Sequence, residues 1–191
     1  MIKAILFDCF GVMYLDHFEK TYTHFGGDVE KDKEYLRQFF FEVSKGTKDW
    51  RDGLAEKLNI TIEQWHEKKE ELSSFNYDLL EYSAELRKTY KTGMLSNIGP
   101  EGLEAHLDRA TFEPYFDVIV ESGKIGFAKP EARAYEIAAD RLGVRLDECV
   151  FTDDREEYIE GAQHVGMKTI LFSSTEQFKQ DLEKLLQSNN D

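Results

Sequence analysis

Cysteine is scarce in this chain of 191 residues: Cys9 and Cys149 are the only two. Two thiols without metal-type spacing argue against a disulfide scaffold or a zinc site. Both fall in apolar stretches that read as core strands, where a free cysteine behaves as a small buried hydrophobe. Cys9, next to an acid, has a reactive thiol as its alternative. Long apolar runs are missing too, since no stretch approaches the roughly 20 residues that span a bilayer. The N-terminal apolar stretch is very short and ends at Asp8 without a small-residue cleavage site, so no signal peptide is expected. Both absences predict a cytoplasmic protein. Positive charge is in deficit: 24 basic residues stand against 38 acidic ones, a net charge of −14. Nucleic acid and anionic membrane are themselves polyanions, so neither is an expected partner. The acids spread along apparent helix faces rather than gathering in a tail, which reads as solvated surface. The five histidines have no ligand spacing.

What is present is a chain 41% hydrophobic and 13% aromatic, enough for one substantial core with a small second module. Ala4 to Phe7 is a continuous apolar run, the pattern of a strand buried on both faces. Thr92 to Leu95, Phe116 to Val120, Cys149 to Phe151 and Thr169 to Phe172 read as further strands. Helical patterns separate them, over about Leu79 to Tyr90, Pro100 to Asp108, Pro130 to Leu142 and Glu156 to Val165. Pro at the start and Gly past the end punctuate these helices. Thr175 to Gln187 reads as a final helix capped by Thr175. Strand–helix alternation predicts an α/β fold with a Rossmann-like parallel sheet in three layers.

Residues 14–78 break that rhythm. Asp32 to Lys45, Trp50 to Leu58 and Thr61 to Leu72 are helix-like, Thr61 and Gln64 form a candidate capping box, and no strand is evident. The expected organisation is a core of residues 1–13 and 79–191 with a helical cap over 14–78, inserted after the first strand.

Four segments carry the chemistry: Ala4 to Val12, Met94 to Asn97, Lys129-Pro130, and Cys149 to Asp154. Asp8, Ser96 and the Asp153-Asp154 pair each end an apolar run. In a parallel sheet such positions meet in the crevice beyond the strands' carboxyl ends. A carboxylate, a hydroxyl, a lysine and a carboxylate pair around one cavity suit a metal and a phosphate. Adjacent acids after a buried strand repel each other unless a cation holds them.

These four ordered motifs, spread over nearly the whole chain, resemble the haloacid dehalogenase superfamily of hydrolases. The branch with a helical cap after the first strand fits best, and Asp153-Asp154 with Ile159 to Ala162 and Gly166-Met167 is similar to small sugar-phosphate phosphatases. The resemblance implies a Mg²⁺-dependent phosphatase that forms an aspartyl phosphate, acting on a small phosphorylated metabolite as a monomer or homodimer. It makes Asp8 the nucleophile and a metal ligand, because a carboxylate attacks phosphorus only once the phosphate charge is neutralised. Asp154 and the backbone carbonyl of Phe10 become further Mg²⁺ ligands, and Asp153 a ligand or an orienter of the ligands. Ser96, Asn97 and Lys129 contact phosphate, Ser96 and Lys129 taking part in catalysis. Lys45 to Trp50 aligns with a substrate-facing loop of related enzymes.

Two positions depart from that pattern. Phe10 stands where such phosphatases usually carry an acid–base Asp, which implies slower ester hydrolysis. Tyr158 stands where an Asn or Asp often supports the metal loop. Asp16 and Glu157 are candidate stand-in acids. An aromatic residue at position 10 also resembles the haloacid dehalogenases, whose halide leaves without a proton. The alternatives are therefore a 2-haloacid dehalogenase and a catalytically inactive phosphate-ligand-binding protein.

Overall fold

The computed structural model describes residues 1–105 and 107–188, less the side chains of residues 50–52, 105 and 188. Strand β1 (Ala4–Phe7) is followed by a two-residue strand β2 (Tyr14–Leu15) and four helices. These are α1 (Phe18–His24), α2 (Lys33–Ser44), α3 (Trp50–Leu58) and α4 (Ile62–Leu72). Strand β3 (Ser74–Phe75) then runs back along β2, antiparallel to it. From α5 (Tyr77–Leu86) the chain alternates: β4 (Lys91–Ser96), β5 (Val118–Glu121), the short α6 (Ser122–Ile125), α7 (Ala132–Leu142), β6 (Cys149–Asp153), α8 (Glu156–His164), β7 (Lys168–Leu171) and α9 (Thr175–Ser188).

Five strands form one parallel sheet in the order β5-β4-β1-β6-β7. The all-apolar β1 sits at its centre because both of its faces are covered. Ile5 and Phe7 enter one core layer with Leu79, Leu80, Phe178 and Leu182 of α5 and α9. Ala4 and Leu6 enter the opposite layer with Ala134, Ala138, Leu142 and Ile159 of α7 and α8. The expected three-layer α/β architecture is thus present. The chain moves outward from β1 through β4 and β5, then returns to β6 on the other side. The reversal falls between β1 and β6, the place where α/β sheets open a ligand crevice.

Helices α1 to α4 have a hydrophobic cluster of their own, centred on Tyr22, Leu36, Phe39, Leu54 and Trp65. The Thr61–Gln64 capping box forms as the sequence predicts. Bonds at the end of α2 help fasten these helices to the sheet side. Ser122 Oγ lies 2.7 Å from the Ser44 carbonyl, and Lys45 Nζ pairs with Glu131 at 2.9 Å.

Several local expectations are corrected. No helix runs from Pro100 to Asp108: Gly102 takes a left-handed φ of +72°, and the buried Glu121 carboxylate accepts the Leu103 N–H at 2.7 Å. Short 3₁₀ turns stand there instead, at Leu103–Ala105 and Arg109–Thr111. The cap of α9 is Ser174, whose hydroxyl accepts the Gln177 N–H, while Thr175 lies inside the helix. The inserted region also contains two strands and the helix α1, none of them expected. Two-residue strands are too short to show alternation, and the Thr, Tyr and His of α1 are weak helix formers. Among the described residues no helix is long and apolar enough to cross a membrane.

Phe178 docks α9 on the sheet, fully buried with its ring 5.4 Å from that of Phe7. Phe178→Ala should cost about 3–5 kcal/mol through lost burial and the cavity left behind. Denaturant unfolding measures this, and a loss under about 1 kcal/mol would mean that α9 is not anchored by this ring.

Candidate active site

The sheet register brings the acids together. Phe7 of β1 pairs with Thr152 of β6 and Met94 of β4, so the next residues, Asp8 and Asp153, leave adjacent strand ends. Carboxylate oxygens of Asp8, Asp153 and Asp154 lie within 4.8 Å of one another. Lys129, fully buried, spans the first two: its Nζ is 2.5 Å from Asp8 Oδ1 and 2.6 Å from Asp153 Oδ2. The other Asp153 oxygen accepts the Arg155 N–H at 3.0 Å, so both are in use. Two of the three ammonium donors of Lys129 are engaged by carboxylates. Its charge also lies over the Phe151 and Tyr158 rings, at 5.3 and 5.0 Å.

Asn97 sets the height of that lysine. Its amide nitrogen donates to the Lys129 carbonyl and its oxygen accepts the Lys129 N–H, both at 2.8 Å. The Ser96 hydroxyl is fully buried with no hydrogen-bond partner among the described residues, as is Thr152 Oγ1. Burial without a partner costs free energy that an incoming acceptor can recover. Gly11 completes the floor with a φ of +92°. A Cβ there would meet Asp154 Oδ2 at 2.6 Å, so only glycine lets the backbone pass this carboxylate.

The electrostatics follow from three acids crowding one ammonium. Burial lifts the Asp8 carboxyl to about 7; Lys129 opposes the rise and the two neighbouring acids reinforce it. Asp154 faces the cavity yet is hemmed in by protein atoms, and that desolvation, with Asp153 beside it, raises it to about 6. Burial pulls Lys129 down, but Asp153 and Asp8 together carry it above its ordinary range. The cluster thus carries excess negative charge that it releases by binding protons or a cation. All-oxygen donors with such an excess fit a hard divalent ion.

Above this floor opens a cavity of about 320 Å³. Asp8, Asp154, Asn97 and Arg155 line its base, and Tyr158 one wall, with the Arg155 guanidinium 4.4 Å over the tyrosine ring. Phe10 lies on the cavity side, its ring edge-on to Tyr14 and 5.1 Å beneath Lys69 Nζ. Lys69 descends from α4 and pairs with Asp16 at 3.0 Å. The remaining walls come from the core of the insertion: Phe18, Phe39, Phe40, Val43, Leu54 and Trp65.

Asp8, Phe10, Asn97, Lys129, Asp153 and Asp154 therefore converge on one place, with Ser96 buried beneath. Of the stand-in acids, Asp16 reaches the cavity, whereas Glu157 is exposed and 3.7 Å from Arg155. Lys45 is not in the cavity wall but pairs with Glu131, and the side chain of Trp50 lies outside the described residues. Phe39 and Phe40 line the cavity while Phe41 faces solvent. Cys9 is fully buried and its thiol pushed up by that burial, which favours the reading as a small buried hydrophobe. Sequence reasoning missed Lys69; its position on the α4 face that meets Asp16 is set by tertiary packing alone.

The haloacid dehalogenase-like hydrolase family profile matches residues 2–166. The chain belongs to that family. Phosphatase MT3486 of Mycobacterium tuberculosis is 34% identical over 106 residues, 53% of this chain and 48% of that protein. Bifunctional epoxide hydrolase 2 of the pig is 29% identical over 133 residues, 66% of this chain and 24% of that protein. The chain thus spans less than half the length of either relative. A HAD family enzyme of Bacteroides thetaiotaomicron, solved with magnesium and inorganic phosphate, superposes with a TM-score of 0.70 at 21% identity, over 92% of this chain and 96% of that one.

The raised Asp8 carboxyl has a consequence for stability. Its proton is held more tightly folded than unfolded, so the favourable contribution is complete below the ordinary value of 3.8 and is lost as pH rises to about 7. In metal-free protein, the stability of wild type relative to Asp8→Asn should fall across that window. Denaturant titrations in chelator between pH 4.5 and 8 measure the difference, and a wild type that gains stability relative to Asp8→Asn as pH rises would contradict the raised value.

Proposed function

We propose that this protein is a Mg²⁺-dependent phosphohydrolase that cleaves a small phosphate monoester through a covalent phospho-Asp8. The observation that carries the reading is the buried lysine shared by Asp8 and Asp153 with a third carboxylate, Asp154, alongside. Three carboxylates against one ammonium leave two negative charges, which a divalent cation balances. Asp8, Asp154 and the Phe10 backbone carbonyl would hold that ion. When bound, it neutralises phosphate oxygens and aligns the phosphorus for attack.

The rest falls to the chain's own side chains. A carboxylate oxygen of Asp8 attacks phosphorus, the P–O ester bond breaks, and its electron pair leaves with the alcohol oxygen. Lys129 offers its third N–H to the phosphate and keeps Asp8 ionised. The unpartnered Ser96 hydroxyl supplies a further donor. Asp153, with both oxygens engaged, orients Lys129 rather than the ion, and Asn97 fixes the lysine backbone. Water then attacks the phosphorus of phospho-Asp8, releasing inorganic phosphate and restoring the carboxylate. The departing alkoxide takes its proton from solvent, since Phe10 has none to give. In this reading the helical insertion, residues 14–78, acts as the cap over the site.

Displacement of halide from a 2-haloacid is the reading that Phe10 favours. It would seat a carboxylate substrate among three carboxylates, and like charges at such distances repel strongly in a partly buried site. Chloride release from 2-chloropropionate without Mg²⁺ would decide for it.

Calorimetry should find Mg²⁺ affinity at least about tenfold weaker in Asp154→Asn than in wild type, since a removed carboxylate ligand forfeits a charge-assisted contact. Equal affinity would remove Asp154 from the metal site. Beryllium fluoride, which mimics the acyl phosphate, should bind wild type and not Asp8→Asn.

Phe10→Asp tests what the missing acid costs. Turnover of an alkyl phosphate should rise by up to about 10²-fold, less the packing the ring supplied. Aryl phosphates, whose leaving groups need little protonation, should gain much less. A folded, Mg²⁺-binding Phe10→Asp that hydrolyses neither class would favour a ligand-binding protein without turnover.

A further inference from the structure

The cavity has two chemically different halves. Its base holds the carboxylates, Asn97 and Arg155, and accounts for a phosphate and its cation. Its upper half is walled by the hydrophobic core of the insertion. Phe39, Leu54 and Trp65 are at most 4% exposed, and they still line the cavity, so its upper wall is the insertion's interior rather than a solvated loop surface. Phe18 stands edge-on to Phe40 at 4.9 Å and lies 5.6 Å from Trp65, which closes that wall with rings.

Polar partners are few in this half. Ser44 borders the cavity, but its hydroxyl donates to the Phe41 carbonyl and its own carbonyl takes Ser122. Lys69 and Asp16 pair with each other beside Phe10, and the polar atoms they still offer, two ammonium donors and the buried Asp16 Oδ1, sit together at that one edge of the wall. That edge can serve hydroxyls only where they meet it. A sugar ring brings several, and each one desolvated without a partner costs binding free energy.

We infer that the substrate's alcohol portion is mainly apolar, a short aliphatic or aromatic group with any further hydroxyl confined to the Lys69–Asp16 edge, and not a sugar. This rests on the phosphohydrolase reading for the phosphate end and on the wall alone for the other. The cavity volume of about 320 Å³ sits at the small end of the roughly 300–1,000 Å³ typical of ligand pockets, which limits the group to a compact one.

n-Alkylphosphonates from methyl to octyl, which cannot be hydrolysed, test the wall without turnover. They would be titrated with Mg²⁺ present in a Trp50→Phe background, where Trp65 is the remaining tryptophan and reports from the cavity wall. Affinity should rise by up to about fourfold for each added methylene until the cavity fills, the factor expected for burying one methylene. Glycerol phosphate and glucose 1-phosphate should bind no better than methylphosphonate. Phe40→Ala should weaken hexylphosphonate more than methylphosphonate. A flat dependence on chain length, or tighter binding of the sugar phosphate, would overturn the inference. The matching phosphate esters are assayed in parallel. Chain-length dependence without hydrolysis of any ester would overturn the phosphohydrolase reading and leave the apolar compartment standing. Hydrolysis that favours sugar phosphates would do the reverse.

Discussion

The interaction on which the site depends is the buried ammonium of Lys129, held between Asp8 and Asp153. Removing the lysine would leave buried carboxylates uncompensated in the interior, a loss that typically costs about 3–5 kcal/mol. The surrounding structure exists to hold that lysine in place. Asn97 clamps its backbone from the end of β4, the rings of Phe151 and Tyr158 shelter its charge, and the Arg155 amide keeps Asp153 turned toward it. Strands β4, β1 and β6 thus each contribute one component, and the parallel register makes the three coincide.

Tyr158 takes on a different meaning in this light. A carboxamide or carboxylate at that position would bring another polar group to the loop that follows Asp153 and Asp154. The tyrosine gives a π face between two cations, Lys129 on one contact and Arg155 on another, and its backbone carbonyl accepts the Tyr135 hydroxyl. It supports the same charge cluster by ring electrostatics and packing. Together with Phe10 it brings aromatic rings to the rim of the site, continuous with the aromatic cavity above.

What the sequence revealed depended on how local each signal was. Asp8 was legible because a continuous apolar run must stop somewhere, and a carboxylate followed by glycine marks the stop. The Asp153-Asp154 pair was legible for the same reason. Lys129 was assigned by its motif, but its complete burial was not predictable, since a lysine before proline can also be simple surface. The use of the Asn97 amide on the lysine backbone was equally hidden, because it joins residues 32 apart in sequence. The stretch after Pro100 misled because proline and acidic residues announce a helix, while the competing partner, Glu121, arrives from a strand later in the chain. Nothing in the helical patterns of residues 18–72 marked which apolar positions would face a cavity. That outcome is decided by how four amphipathic helices pack, and periodicity gives only the buried side.

The walls of the cavity are also the residues that keep the insertion folded. Phe39, Leu54 and Trp65 serve both purposes at once. A substitution that reshapes the pocket therefore disturbs the packing of the helices around it, and one that repairs the packing alters what the pocket admits. The shape of this pocket is thus tied to the stability of the helices, unlike recognition that rests on surface loops. Change has to arrive in compensated pairs, or by replacing the entire helical unit through its narrow two-stranded stem, Tyr14–Leu15 against Ser74–Phe75, which leaves the register of the sheet untouched.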